Sequence, residues 1–549
     1  MDGLNMDYQL TLPAILKRAE LLFGHKAIVS RLPDKSIQRY RYSDMAVRAK
    51  RLAVALKDLG VRPGDRVATL AWNHHQHLEA YFAIPAIGAV LHTMNLRFGH
   101  DDLAYAANDA EDRLLLVDAS LLPLFEQLKS RVDFKHVIVM AGGDDVRPGF
   151  LGYEQLLASA DEAGFQYQDI EEHQAAAMCY TSGTTGRPKG AVYSHRAMAL
   201  HAMACAMAGS LAISESDTVL SAVPMFHINA WDLPFTAALA GANQVFPGSH
   251  LDPVSLLELL STSRVTLTAG VPTVWLGVLQ VLDKNPGVYD LSNLRAIVAG
   301  GSAAPLAMIK AFQERHGLRV VHAWGMTETT SITTLCNLPS DFRDAPVEDQ
   351  YDYRAKQGTP LPFIEIRARG EAGLVPWDGQ SMGELEVRGP WVVSRYHNAP
   401  PTDDRFTGDG WLKTGDIVTI SARGCVNLCD RTKDLVKSGG EWISSVALEN
   451  ALMAHPAVAE AAVVAVPHPK WGERPFAAVV LKPDQIATEE ELRRHLEPSF
   501  PKWWLPDAIE FIDEIPRTSA GKFRKSTLRE RFHEYYVNAQ PTVRTLLDV

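Results

Sequence analysis

Hydrophobic positions along the chain follow two periods. Residues 43–59 carry Met45, Ala46, Ala49, Leu52, Ala53, Leu56 and Leu59 near 3.6-residue spacing, the stripe of an amphipathic helix. Ser43 is the candidate N-cap, because its hydroxyl can accept from a free N–H of the first turn. Pro63-Gly64-Asp65 reads as a turn and residues 66–71 as a buried strand. The apolar run 296–299, the pair Gly300-Gly301 and a helical stripe over residues 306–316 repeat that order. Strands alternating with helices predict an α/β fold with largely parallel sheets.

After about Gly358 the period shortens to two. Residues 365–369 and 384–388 alternate, as in a half-buried strand of a small antiparallel sheet or β-barrel. The charged stretch Asp430-Arg431-Thr432-Lys433-Asp434 reads as a linker. Beyond it, helices are expected over 445–454 and 489–496, and strands over 459–466 and 476–481. The expected organisation is a large N-terminal domain, residues 1–429, of α/β subdomains plus the small barrel. A smaller α+β domain, residues 430–549, follows it.

The chain's 549 residues are too many for a single small core. A formal net charge of −11 argues against a general nucleic-acid binder, yet leaves room for a local basic pocket for a phosphorylated ligand. Five scattered cysteines (Cys179, Cys205, Cys336, Cys425 and Cys429) suit reduced thiols, not a disulfide framework. Cys425 and Cys429 have no second pair at zinc spacing. No uninterrupted apolar run reaches the roughly 18 residues of a membrane-spanning helix. Met1-Asp2-Gly3-Leu4-Asn5 lacks the basic and apolar regions of a secretory leader, so a soluble cytoplasmic protein is expected.

The strongest chemical signal is Tyr180-Thr181-Ser182-Gly183-Thr184-Thr185-Gly186-Arg187-Pro188-Lys189-Gly190. Glycines free the backbone to present N–H groups to an anion, the hydroxyls can donate to phosphate or ligate magnesium, and Lys189 adds a point charge. Together they form a polyphosphate cradle. The spacing of a Walker loop fails here, and no G-x-G-x-x-G occurs elsewhere.

This stretch resembles the phosphate-binding signature of the adenylate-forming superfamily of acyl-CoA synthetases, adenylation domains and luciferases. Further motifs follow in the family's order. Gly300-Gly301-Ser302-Ala303-Ala304 resembles the adenine loop and Ala323-Trp324-Gly325-Met326-Thr327-Glu328-Thr329 the aromatic-Gly-x-Thr-Glu motif. Trp411-Leu412-Lys413-Thr414-Gly415-Asp416 resembles the ribose motif, Asp430 to Asp434 the hinge, and Pro516-Arg517-Thr518-Ser519-Ala520-Gly521-Lys522 the C-terminal lysine motif. The segments Phe226-His227-Ile228-Asn229-Ala230-Trp231 and Lys437-Ser438-Gly439-Gly440-Glu441-Trp442 are most similar to medium- and long-chain acyl-CoA ligases, and within them to 3-methylmercaptopropionate-CoA ligases.

The resemblance implies an ATP-dependent acyl-CoA ligase with ATP and CoA as co-substrates and Mg²⁺ as cofactor. It implies a short or medium acid such as 3-methylmercaptopropionate, with a medium- or long-chain fatty acid as the alternative. Its implied nucleotide site comprises Thr181, Ser182, Gly183, Thr184, Thr185, Gly186, Lys189, Gly301, Ser302, Ala303, His322, Ala323, Trp324, Gly325, Met326, Thr327, Asp416, Arg431, Lys433 and Lys522. Glu328 and Thr184 would ligate the metal, and Lys522, Glu328 and His227 would carry the chemistry. Trp324 would cover the adenine face. His227, Trp231, Gly301 and Gly325 would line the acyl pocket. For the second half-reaction the C-terminal domain would swing about Asp430, bringing in Asp434, Lys437, Gly439, Gly440, Glu441, Trp442 and Glu473. Lys525 is expected in solvent or at a CoA phosphate, and the family branch implies a homodimer.

The cluster His74-His75-x-His77 lacks matching acidic or thiol ligands and is expected at the surface or at a helix start. Loading of a carrier-protein thiol, a luciferase-like oxygenase and a non-catalytic nucleotide-binding regulator are the competing readings. The absence of a carrier domain after Lys522 weighs against the first, and the presence of Lys522, Glu328 and Asp416 against the last.

Overall fold

The computed structural model describes residues 1, 3–140, 148–181, 187–400, 403–439, 441–517 and 523–538. Two compact units emerge. One comprises Met1–Ala304, Met308–Ile366 and Glu386–Lys413, and the other Pro305–Ala307, Arg367–Leu385 and Thr414–Val549.

The first unit contains a seven-stranded and a nine-stranded sheet, both mostly parallel, the larger with antiparallel pairs at both edges and the smaller at one. In the larger sheet Thr218–Ser221, Leu267–Gly270, Ala296–Gly300 and Val320–Met326 run side by side in parallel. The smaller sheet centres on Arg66–Leu70 and ends on the antiparallel pair Ala175–Tyr180 and Gly190–Ser194. Its strands read as continuous apolar runs because both faces are covered. Val67 enters one hydrophobic core while Ala68 and Leu70 enter another. The predicted helix spans Tyr42–Asp58, one residue earlier than the stripe suggested. Ser43 lies inside it, and the Asp44 carboxylate accepts the Arg41 N–H at 2.9 Å.

The second unit holds most of a five-stranded sheet formed by Gly373–Leu374, Glu365–Gly370, Gly383–Arg388, Leu412–Ile420 and Val426–Arg431. Asp430 and Arg431, read from sequence as linker, complete the last of these strands. The hairpin of Val458–His468 and Gly472–Leu481 follows, flanked by Val436–Ser438 and Ala508–Phe511. Its residues alternate between two cores. Ala461, Val463 and Ala477 face one with the helices Ser445–Met453 and Glu489–Leu496, while Ala462, Val464 and Phe476 face the other with Lys525–Phe532.

Arg474 ties this unit together. It is 6% exposed, and its guanidinium donates to both Asp507 oxygens at 2.6 Å, to Ser438 Oγ, and to the Trp503 and Leu505 carbonyls. Arg474→Leu strips the partly exposed Asp507 carboxylate and two carbonyls of their donor, and should cost about 1–3 kcal/mol. Urea unfolding followed by Trp503 and Trp504 fluorescence should show the midpoint falling; an unchanged midpoint would refute this role.

Candidate active site

In the first unit, the ends of the glycine-rich loop are closed by two hydrogen bonds. Thr181 N–H donates to the Lys189 carbonyl at 2.9 Å, and Lys189 N–H to Thr181 Oγ1 at 3.1 Å. These two bonds continue an antiparallel pair whose last partners are Tyr180 and Gly190. Ser182, Gly183, Thr184, Thr185 and Gly186 lie outside the described residues. Lys189 reaches Asp403 at 2.8 Å, and its ammonium lies 4.6 Å from the centroid of the Tyr396 ring. Tyr396 donates its hydroxyl to Glu328 Oε1 at 2.5 Å, with Arg405 3.7 Å from the same carboxylate. Burial and the Glu328 charge raise the Tyr396 pKa, so the phenol keeps its proton and the donor role. Tyr396, Asp403 and Arg405 escaped the sequence reading because no motif contains them.

Glu328 is 5% exposed, not a solvated side chain. It sits in a turn after Val320–Met326 that is pinned on both sides. Tyr193 donates to the Thr327 carbonyl at 2.7 Å, and Val393 N–H to the Glu328 carbonyl at 2.8 Å. Gly325 is required next to it, since a Cβ there would lie 1.6 Å from the Ser331 carbonyl oxygen. The adenine-loop candidates adjoin this turn: Gly300 pairs with Ala323, and Gly301 has φ +83°. His322 is buried and accepts the Ala304 N–H at Nε2 while its Nδ1 donates to the Ala355 carbonyl. Trp324 is only 8% exposed. Ser302 and Ala303 occupy the loop between Gly301 and Ala304, and Met326 ends its strand.

Trp231 packs on Gly300, where a Cβ would meet its ring at 2.9 Å. It belongs to an uncommon stretch. Ile228, Asn229, Ala230, Trp231 and Asp232 all take left-handed φ values between 47° and 63°. At ~1–2 kcal/mol per residue, this turn carries roughly 5–10 kcal/mol of strain. Two anchors hold it. Asp232 pairs with buried His201 at 2.9 Å, and Asn73 bonds the incoming chain at Ser221, Val223 and Met225. Burial alone would depress His201, but Cys205 and Asp232 raise it to about 10, keeping an imidazolium against the carboxylate. His227 stands half-buried just before the turn.

The second-unit candidates among the described residues can be placed within that unit. Asp416 and Arg431 are cross-strand partners, 3.3 Å apart. Asp416 lies inside the strand Leu412–Ile420 and is 5% exposed. Asp430 is 1% exposed; its carboxylate accepts the Ser445 N–H at 2.5 Å and so caps a helix. Asp434 pairs with Arg529 at 2.5 Å, and Lys433 in the same turn is exposed. Lys437 stacks over Trp442, itself 40% exposed, and its N–H donates to Glu473. Gly439 has φ +60°, and Glu441 opens a short strand. Lys525 departs from expectation. Its side chain is largely buried against Glu449 at 2.7 Å and Ser445 at 2.6 Å, near Asp430. Gly440 and Lys522 lie outside the described residues.

Residues 17–397 match the family of AMP-binding enzymes, and residues 447–522 its C-terminal domain. The chain belongs to the AMP-binding enzyme family. A long-chain-fatty-acid–CoA ligase of Thermus thermophilus is 49% identical over 97% of this chain and 98% of that protein. A 3-methylmercaptopropionyl-CoA ligase of Ruegeria lacuscaerulensis is 39% identical over 97% and 99%. Among solved structures, the anthranilate CoA ligase AuaEII in complex with anthranoyl-AMP superposes with a TM-score of 0.85 at 26% identity, covering 97% of this chain and 99% of that one.

In this AMP-binding enzyme the histidine cluster does begin a helix, His75–Ala86, with His74 and His77 buried and His75 half-buried. His74 bonds Asp118 at 2.8 Å, and His77 bonds Thr69 Oγ1 and the Trp72 carbonyl, each at 3.0 Å. Burial and the neighbouring His74 push both His75 and His77 down to about 3. Both fold neutral, so their contribution is complete above about pH 6.5 and is lost as pH falls toward 3. Stability should fall through that window, and His77→Gln should flatten the fall. A thermal-melting pH series that shows no such flattening would refute the assignment.

Proposed function

We propose that this enzyme joins an unbranched aliphatic carboxylic acid to CoA by way of an acyl-adenylate. The activity is AMP-forming acid–thiol ligation, with ATP and CoA as co-substrates. The observation that carries the residue assignments is the linked set Lys189, Tyr396, Glu328 and Arg405 at the mouth of the glycine-rich loop.

A carboxylate oxygen attacks the α-phosphorus of ATP, and pyrophosphate leaves. The CoA thiol, losing its proton, then attacks the acyl carbon and AMP leaves with that oxygen. Lys189 and the loop amides would hold the polyphosphate, Trp324 and the Gly301 loop the adenine, and Asp416 and Arg431 the ribose. Lys522 would neutralise charge building between the carboxylate and the α-phosphate. Mg²⁺ commonly takes one or two carboxylates, with phosphate and water as its other ligands. Buried Glu328 suits that pattern, with Thr184 as hydroxyl partner. The ion, held there, would offset phosphate charge. Asp430 is proposed as the hinge, with Asp434, Lys437, Gly439, Gly440, Glu441, Trp442 and Glu473 serving the thiol step. A cytoplasmic homodimer is part of this reading and is tested by sedimentation.

A medium- to long-chain fatty acid is the preferred acyl group. The 49% identity to a long-chain ligase and the apolar Phe226, Ile228, Ala230 and Trp231 support it. The 39% identity to 3-methylmercaptopropionyl-CoA ligases supports the short thioether acid as second reading.

With fatty acids of rising length, kcat/KM should climb about tenfold per two methylenes from butyrate to octanoate. A maximum at 3-methylmercaptopropionate selects the second reading, and no acid-dependent AMP release at all contradicts the proposal. Lys522→Ala should slow adenylation by about a hundredfold or more, a loss of ~2–4 kcal/mol, while CoA still consumes supplied acyl-AMP. Equal slowing of both half-reactions would refute that role. Tyr396→Phe should slow adenylation about tenfold through the lost bond to Glu328, read by acid-dependent pyrophosphate release.

A further inference from the structure

A cavity of about 550 Å³ opens at the opposite edge of the larger sheet from the adenine loop. Leu267 and Ala296, which begin two parallel strands, and Val321, second in the third, form its floor. The candidate nucleotide loop lies past the other ends of those strands, at Gly300-Gly301 and Trp324. Four arginines line this cavity (Arg295, Arg319, Arg343 and Arg354) and no acidic residue does. That is unexpected in a chain of net charge −11.

One of the four charges is neutralised in place, since Arg295 pairs with Asp217 at 2.8 Å. Arg319 instead donates to the neutral Asn337 Oδ1 at 2.7 Å, and Arg354 to the neutral Gln313 Oε1 at 3.2 Å. Among the described residues, no carboxylate lies within ion-pair distance of Arg319, Arg343 or Arg354. Arg319 is exposed, and partial desolvation followed by the like charges of Arg354 and Arg295 lowers its pKa, so the guanidinium groups repel one another. The volume suits a small molecule. Planar guanidinium forks match the oxygens of phosphate, and several unbalanced charges favour an anion of high charge density over a simple carboxylate.

We propose that this cavity is a second ligand site, separate from the catalytic one, that binds a polyphosphate-bearing small molecule through Arg319, Arg343 and Arg354. Its occupant relieves the repulsion among the arginines.

Calorimetric titration of the full chain tests this with inorganic tripolyphosphate, ADP and CoA as separate arms, at ionic strength held constant with NaCl. Wild type should show a tripolyphosphate site in addition to the catalytic cradle; Arg319→Gln/Arg354→Gln should weaken that additional site at least thirtyfold, with binding at the catalytic site, kcat and the KM for ATP unchanged. The single variant Arg343→Gln should weaken the same site three- to tenfold. Loss of the ADP heat alongside identifies a nucleotide ligand, and loss of the CoA heat a CoA-type phosphate; either supports the site. Identical isotherms for wild type and both variants would overturn the proposal, as would equal heat from sulfate at matched charge.

Discussion

Joining a carboxylate to a phosphate means forcing two anions together, and the site proposed in the first unit would answer that constraint. Its cations are not loose. Lys189 is held between the Asp403 carboxylate and the Tyr396 ring face, while Arg405 stands at the Glu328 carboxylate. Two positive and two negative groups interleave around one phenol, so each is held in position before substrate arrives. Preorganised charge of this kind need not reorganise as the reaction proceeds. The described ends of that loop, Thr181 and Lys189, are tied to each other at the close of an antiparallel pair.

Strain is the second theme. Five consecutive non-glycine residues in the left-handed region make an unfavourable turn, and it lies where Trp231 meets Gly300. What holds it is remote in sequence: Asn73 from the smaller sheet's side, and His201 with its carboxylate partner. His201 also bonds the Ile332 carbonyl, close after the Glu328 turn. One imidazole thus braces both the candidate acyl turn and the segment that carries Glu328.

Much of the fold was legible in the sequence, and the reasons are physical. The helix Glu489–Leu496 and the helix Leu306–His316 lie where their apolar stripes placed them, because one face of each is buried and the other is not. Strands buried on both faces were found as apolar runs, with ends off by a few residues, as at Val458–His468. The linker reading of Asp430 failed because charge was taken for exposure, when that carboxylate caps a buried helix start. Lys525 misled in the same way, since Glu449 and Asp430 offset its burial from far along the chain. In the site, motifs revealed the residues contiguous with them. Tyr396, Asp403, Arg405 and Asn73 had no local signal, since only the folded chain brings them to their partners.

The central claim is that the acid's own oxygen becomes bonded to the α-phosphorus. Supplying octanoate labelled with ¹⁸O in its carboxylate, together with ATP, Mg²⁺ and CoA, tests it directly by mass spectrometry of the products. One labelled oxygen should appear in AMP for each thioester formed; label in orthophosphate, or unlabelled AMP beside labelled water, would contradict the account.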